Sequence, residues 1–216
     1  MYQAHGWWFA DQDTHFSHMI QKNIKKGGPA KYQEPVRQKS LQFVKDFGVA
    51  VDIGANVGLW SRDLAARFAR VVAIEPVVEF QECLRRNVPM ENIEIWPIAL
   101  GTEDTTIDMV ITEGNTGHSH INKDSIGMGK VDMKCLDSLW FDRIDYMKVD
   151  CEGYEMQILK GGEQTLRTHQ PIVVVEQKLH KDTGITKDTQ YGAVNLLLSW
   201  GAKKLGQVRN DCILGW

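Results

Sequence analysis

An α/β fold, with a mostly parallel sheet and helices on both faces, is what this sequence predicts, and three observations predict it. From Val49 onward, apolar runs of strand length alternate with helical patterns, the order that parallel strands joined by crossover helices require. The segment Ala50–Gly58, A-V-D-I-G-A-N-V-G, carries a strand into a glycine-bracketed turn that a helix pattern follows. Finally, Lys204–Val208 and Cys212–Trp216 flank Asn210-Asp211 in the manner of a β-hairpin. Such a hairpin would place one antiparallel strand in an otherwise parallel sheet.

Each element follows in order. Val49–Ile53 reads as a buried first strand and Leu59–Phe68 as the helix after it. Val71–Ile74 is the second strand, ending in Glu75-Pro76, and Val78–Asn87 is a helix that Pro89 closes. Ile93–Leu100 carries β-branched residues and is expected to be a third strand. Thr105–Thr112 alternates through Ile107, Met109 and Ile111 like a half-exposed strand, and Lys130–Cys135 does so more weakly. Between them, the polar Glu113–Gly129 predicts a surface loop long enough to carry function. Ile144–Val149 is another buried strand, Tyr154–Thr168 a helix, and Ile172–Val175 a strand following Pro171. Gln190–Trp200 is the last helix, stopped by Gly201.

Composition narrows the class of protein. The 216 residues, 43% of them apolar, suit one domain with a full core. A net charge of −3 provides no strong field toward nucleic acid or an anionic membrane, so neither is expected as a partner. Cys83, Cys135, Cys151 and Cys212 lie far apart without a C-x-x-C pair, which argues against a zinc knuckle or a disulfide framework. No leader pattern precedes the first strands, and the longest apolar runs are of strand length. A soluble, cytoplasmic protein with reduced thiols is the expectation.

Strand, glycine turn, helix, strand and acid together lay a nucleoside cofactor along the carboxyl edge of a parallel sheet. Glycine lets the backbone approach a ligand closely, and the acid, Glu75, is placed to take both ribose hydroxyls. The dinucleotide pattern G-x-G-x-x-G is not met, because Ala55-Asn56 stands where the second glycine would fall. A pyrophosphate needs that close approach, so NAD and FAD are disfavoured, whereas a sulfonium amino acid carries no pyrophosphate. Taken singly, Asp52 could merely cap a helix and Glu75-Pro76 merely end a strand. In register with the glycines, they favour cofactor binding.

A second segment reads Lys148-Val149-Asp150-Cys151-Glu152-Gly153-Tyr154-Glu155, with Ile158-Leu159-Lys160-Gly161-Gly162 following. Together with D-I-G-A-N-V-G, these motifs closely resemble the FkbM family of methyltransferases, from about Tyr32 onward. The resemblance implies a class I methyltransferase (Rossmann-like) fold, a seven-stranded, mostly parallel sheet with helices on both faces and a C-terminal antiparallel hairpin. It implies S-adenosylmethionine as methyl donor, S-adenosylhomocysteine as product, and a hydroxyl acceptor on a small molecule or carbohydrate. By the same resemblance, Asp52, Ile53, Gly54, Ala55, Asn56 and Gly58 bind the methionine end and Glu75, with Pro76, the ribose. Ala99 and Leu100 match the adenine side, while Asn115 and Gly117-His118-Ser119 match a small polar loop near the active site. Residues 1–48, with Gly6-Trp7-Trp8-Phe9, depart from the family pattern. They are read as an N-terminal arm and helix covering the active site of a methyltransferase core at 49–216. A non-catalytic module that binds the donor is the alternative, and an NAD-dependent oxidoreductase a more distant one.

Chemistry is expected at the end of the strand that carries Asp150. A carboxylate there can take the proton of a substrate hydroxyl as the methyl group transfers. It can also hold a divalent metal, which needs further oxygen ligands that the sequence does not establish; none is assigned. Glu152 is its nearest partner. The structural alternative is that either acid serves the free amides of the helix starting near Tyr154. Among histidines, His118 is the favoured base; His120, His180, His15 and His18 are lesser candidates, and a site of His118, His120 and Glu113 lacks any fixed geometry. Trp7, Trp8 and Phe9 read as a strand covering one edge of the core in preference to a lid.

Overall fold

The computed structural model describes residues 1–110, 120–121, 130–178 and 191–216. A small antiparallel hairpin comes first, β1 (Tyr2–Ala4) and β2 (Trp7–Phe9), reversed at His5 and Gly6, whose φ angles are 54° and 78°. Alternation along β2 buries Trp7 and Phe9 and leaves Trp8 half-buried, with the Arg86 guanidinium 4.6 Å from its ring centre. Helix α1 (His15–Lys25) adds Phe16 and Ile20, four residues apart on one face, to the same cluster. Asn87 fastens this arm to the rest of the chain. Its Oδ1 accepts from the Trp8 amide at 2.7 Å, and its Nδ2 donates to the Trp8 and Val57 carbonyls at 2.8 and 2.7 Å. Of the two readings of Trp7-Trp8-Phe9, the covering strand is the one observed.

Helix α2 (Glu34–Leu41) leads into β3 (Val49–Ile53), every residue of which is buried. A short α3 (Ser61–Ala65), β4 (Arg70–Ile74), α4 (Val78–Asn87) and β5 (Ile93–Trp96) follow. Next come β6 (Ala99–Gly101), β7 (Thr105–Val110), β8 (His120–Ile121), β9 (Lys130–Cys135) and β10 (Tyr146–Val149). The chain continues through α5 (Glu155–Lys160), α6 (Glu163–His169), β11 (Ile172–Glu176), α7 (Gly192–Ser199), β12 (Lys203–Val208) and β13 (Asp211–Gly215).

Seven of these strands form one sheet in the order β12-β13-β11-β10-β3-β4-β5. The five from β11 to β5 are parallel, and β13 runs antiparallel between β11 and β12, as the hairpin pattern predicts. Both faces are covered, so strand residues of either parity are apolar. Val51 and Ile53 join Met147, Val149, Val173 and Val175 under α5 and α7. Ala50 joins Val71, Tyr146 and Val174 on the other face, against Trp60 and Leu64.

Four expectations are corrected in detail. The third strand, 93–100, is two: Pro97 has no amide to give a ladder, and β6 leaves for a second sheet ordered β6-β9-β7-β8. The helix expected over 59–68 shortens to α3, because Ala55–Trp60 is taken up by turns. The single helix over 154–168 breaks at Gly161-Gly162. There a Cβ on Gly161 would stand 1.9 Å from the Gly101 carbonyl oxygen, and one on Gly162 2.6 Å from Leu136. Asp137 then restarts the helix, accepting from the Gln164 and Thr165 amides at 3.1 and 2.8 Å. Finally, the segment read as a loop over 113–129 contains β8, paired antiparallel with β7. No helix among the described residues is long and apolar enough to cross a membrane.

Candidate active site

Strand β3 sits where the sheet order reverses: the chain goes from it to β4 on one side and reaches β10 and β11 on the other. Open parallel sheets bind ligands at the carboxyl end of such a point. A cleft holding about 1080 Å³ of non-atom space, its open mouth included, lies there.

The glycine turn forms its floor. Gly54 has φ 73°, and a Cβ would come within 2.2 Å of the Asp150 carbonyl oxygen and 3.0 Å of the Cys151 sulfur. Only a residue without a side chain allows the two motif loops to touch. Asn56 is also left-handed, at φ 49°, a conformation asparagine tolerates better than most. Glu75 holds this turn from the end of β4. Its Oε2 accepts from the Asn56 amide at 2.8 Å and its Oε1 from the Val77 amide at 2.9 Å. Burial lifts its pKa to about 7 against the pull of those amides and of Lys148. Ile53, Gly54, Ala55 and Asn56 line the cleft, as do Glu75 with Pro76 and, across from them, Ala99 with Leu100. This is a cradle that an added Cβ would fill, with a buried acid beside it, and it suits a nucleoside that carries an amino-acid tail.

Asp52 and Gly58 do not line the cleft. Asp52 is wholly buried, accepts from the Ser61 hydroxyl at 2.6 Å and has the Lys148 ammonium 3.4 Å away. Gly58, at φ 88°, is packed on Leu84 and Val88. Both serve the turn from behind.

Lys148 is the residue that sequence reasoning left without a role. Only 5% exposed, it donates to the Gly54 carbonyl at 3.0 Å and stands between Asp52 and Asp150, 3.8 Å from the latter. Burial alone would lower its pKa, yet the Asp52 and Asp150 carboxylates outweigh that and raise it. A lysine inside the apolar run Y-M-K-V was the available signal, since an ammonium is seldom buried unpaired. It links β10 to the glycine turn.

Asp150 and Glu152 line the same cleft from the loop after β10. Burial raises the Asp150 pKa, Lys148 opposes, and Glu176 adds to the rise. Glu152, left-handed at φ 51°, is pushed up to about 7 by burial and then by Asp150, while Lys178 opposes. Carboxylate oxygens of Asp150, Glu152 and Glu176 all lie within 4.8 Å of one another. That donor set suits a cation, and the Lys178 ammonium supplies one, 3.1 Å from Glu152 and 3.7 Å from Glu176. Asp211, beside Glu176 in the β11–β13 register, is pushed up to about 7 by burial and these neighbouring acids.

The N-terminal arm completes the wall with His15, Phe16 and Tyr32. Phe16 and Tyr32 meet edge to face at 5.1 Å. Buried Arg37 donates to the Tyr32 carbonyl at 2.9 Å, and Trp60 donates to Gln33 at 2.6 Å, which fixes the segment over the cleft. Burial and the acids around Asp150 push the Tyr32 hydroxyl well above the ordinary tyrosine range, so it remains a donor. These aromatics lie far in sequence from the motifs, and no motif surrounds them. Asn115 and His118, with Gly117 and Ser119 beside them and His180 further on, lie outside the described residues, as does the side chain of His120.

The fold is similar to that of the methyltransferase FkbM from Methylobacillus flagellatus KT, with a TM-score of 0.54 and 20% identity over 79% of this chain and 44% of that one. This chain thus spans less than half the length of that protein's. It is also similar to the N-methyltransferase NodS from Bradyrhizobium japonicum WM9, with a TM-score of 0.52 and 10% identity over 93% and 97% of the two chains. At these identities the likeness is one of fold. No curated protein matches the chain. The methyltransferase FkbM domain matches residues 52–206, from the aspartate before the glycine turn to the strand before the last, a span that takes in both motif loops and sets the oxidoreductase reading aside. With both loops facing one cleft on a class I methyltransferase sheet, the chain belongs to the FkbM methyltransferase family.

Proposed function

We propose that this protein transfers a methyl group from S-adenosylmethionine to a hydroxyl oxygen of a small molecule or glycan. The observation that carries this reading is the placement of Asp150 and Glu152, two acids whose pKa burial raises, in one cleft with the Gly54–Asn56 turn and Glu75. When bound, the donor supplies an activated methyl group on a sulfonium. Glu75 would take the ribose hydroxyls through the lone pairs its two amides leave unused, and the Gly54 cradle would admit the methionine end. Asp150 or Glu152 would accept the acceptor's proton as oxygen attacks carbon and the carbon–sulfur bond breaks in line. Because the donor is already activated, holding the oxygen at about 3–3.5 Å accounts for most of the rate, and the base adds a smaller factor.

Phe16 and Tyr32 support an N-terminal cover over the acceptor side, where residues 1–48 would select the substrate. The acids Asp150, Glu152 and Glu176 disfavour a polyanion such as nucleic acid. A hydroxyl panel of glycans, polyketides and nucleosides, run with a labelled methyl donor, tests the reaction. On an acceptor so found, kcat/KM should rise with pH and level off with an apparent inflection near 7. Glu152→Gln or Asp150→Asn should cut turnover by about 10²–10⁴-fold with donor affinity within a few fold of wild type. Thermal-shift titration with S-adenosylmethionine, S-adenosylhomocysteine and NAD examines the donor separately; stabilisation by NAD alone would refute it.

A further inference from the structure

Glu152 is a residue with a side chain held in the left-handed region, followed by Gly153 at φ 98°. Left-handed backbone at a non-glycine position costs about 1–3 kcal/mol and persists only where the surroundings hold it there. Glu155 is in position to do so. It opens α5, is 3% exposed, and does not line the cleft. Its Oε1 accepts from the Cys151 amide at 2.9 Å and from the Gly153 amide at 3.1 Å. These are the two amides on either side of Glu152. One buried oxygen therefore clasps the loop around the residue that faces the cleft. The same loop abuts the glycine turn, because the Asp150 carbonyl and the Cys151 sulfur occupy the space a Gly54 side chain would need.

We propose that Glu155 is a positioning residue: by accepting both amides that flank Glu152, it sets Asp150 and Glu152 toward the cleft and keeps the second motif loop seated on the first. This rests on the reading of the cleft as the methyl-transfer site. It gives the last acid of the D-C-E-G-Y-E motif a role separate from those of the first two. The clasp needs an oxygen acceptor and no charge, since both loop amides go to one atom.

Glu155→Gln and Glu155→Ala separate this role from general support of the fold. Amide hydrogen exchange, followed by NMR on the folded protein, should show Cys151 and Gly153 protected in wild type and in Glu155→Gln. In Glu155→Ala both amides should exchange at least tenfold faster. Calorimetric titration with S-adenosylhomocysteine should give Glu155→Gln an affinity within about threefold of wild type and Glu155→Ala a loss of tenfold or more. If Glu155→Ala does not fold, Glu155→Asp, shorter by one methylene, should give the same pattern more mildly. Unchanged exchange in the alanine or aspartate variant would overturn the proposal. So would a lower melting temperature with full ligand affinity, or a glutamine variant as impaired as the alanine one. A wild-type protein that binds no S-adenosylhomocysteine would count against the donor reading alone, and the exchange measurement would still decide the clasp.

Discussion

The two motif loops are built on one plan and differ in the glutamate that braces each. Each follows a buried parallel strand, and each holds a side-chain-bearing residue in the left-handed region, Asn56 at φ 49° and Glu152 at φ 51°, with a positive-φ glycine two residues after the first and directly after the second. Each is braced by a buried glutamate that accepts the backbone amides of two other residues and whose pKa burial lifts to about 7. The braces differ in origin and in wiring. Glu75 comes from the end of the neighbouring strand, lines the cleft, and accepts one amide on each oxygen. Glu155 comes from the loop's own helix, stays behind the wall, and gathers both loop amides on one oxygen. An acid beside a turn is thus no guide to ligand contact until its direction is known. Of the two, Glu75 both braces and faces the cleft, while Glu155 braces only.

Removing the space between the loops is the harshest way to break this arrangement. Gly54→Ala places a methyl group on the Asp150 carbonyl and forces φ 73° on alanine. It should cost at least about 3 kcal/mol in chemical denaturation, and donor binding should be lost with it. A glutamine in place of each brace sharpens the contrast in wiring. Glu75→Gln turns one oxygen into an amide donor that opposes a backbone N–H, so S-adenosylhomocysteine affinity in calorimetry should fall by about 100-fold, or roughly 2.7 kcal/mol. Glu155→Gln keeps the one oxygen that matters to the loop and should leave affinity nearly intact. The mildest test compares the left-handed residues themselves. Glu152→Gly relieves a strain that glycine does not feel and should raise stability by about 0.5–1 kcal/mol while methyl transfer falls. Asn56→Gly should leave stability within about 0.5 kcal/mol, because asparagine accepts that backbone readily. Equal gains at both positions would mean that the two turns carry equal strain.

Much of this is legible in the sequence itself. Alternating apolar runs and the terminal hairpin sufficed for the sheet, since periodicity and strand length are local properties. The glycine turn, Glu75 and Asp150 could be read because a ligand edge requires those residue types at that spacing. What could not be read depends on distance along the chain. Phe16 and Tyr32 reach the cleft from an arm whose place is fixed by Asn87, a polar residue at the end of α4 with no motif around it. Asp52 looked like a ligand because it precedes the glycines, yet strand alternation turns it toward Ser61 and away from the cleft. The need for glycine at the 161–162 break is not legible locally, because the backbone that crowds Gly161, that of Gly101, belongs to a strand sixty residues earlier in the sequence.

The way Glu75 is held has a further consequence, for the entropy of binding. A free glutamate side chain loses about 1.5–2 kcal/mol of rotamer freedom when a ligand immobilises it. Here two backbone amides have already fixed the carboxylate, and folding has met that loss in advance. A diol arriving at the cleft meets an acceptor that does not have to be ordered, so the temperature dependence of its binding should reflect desolvation of the cleft and little of the conformational restriction that a free acid would add.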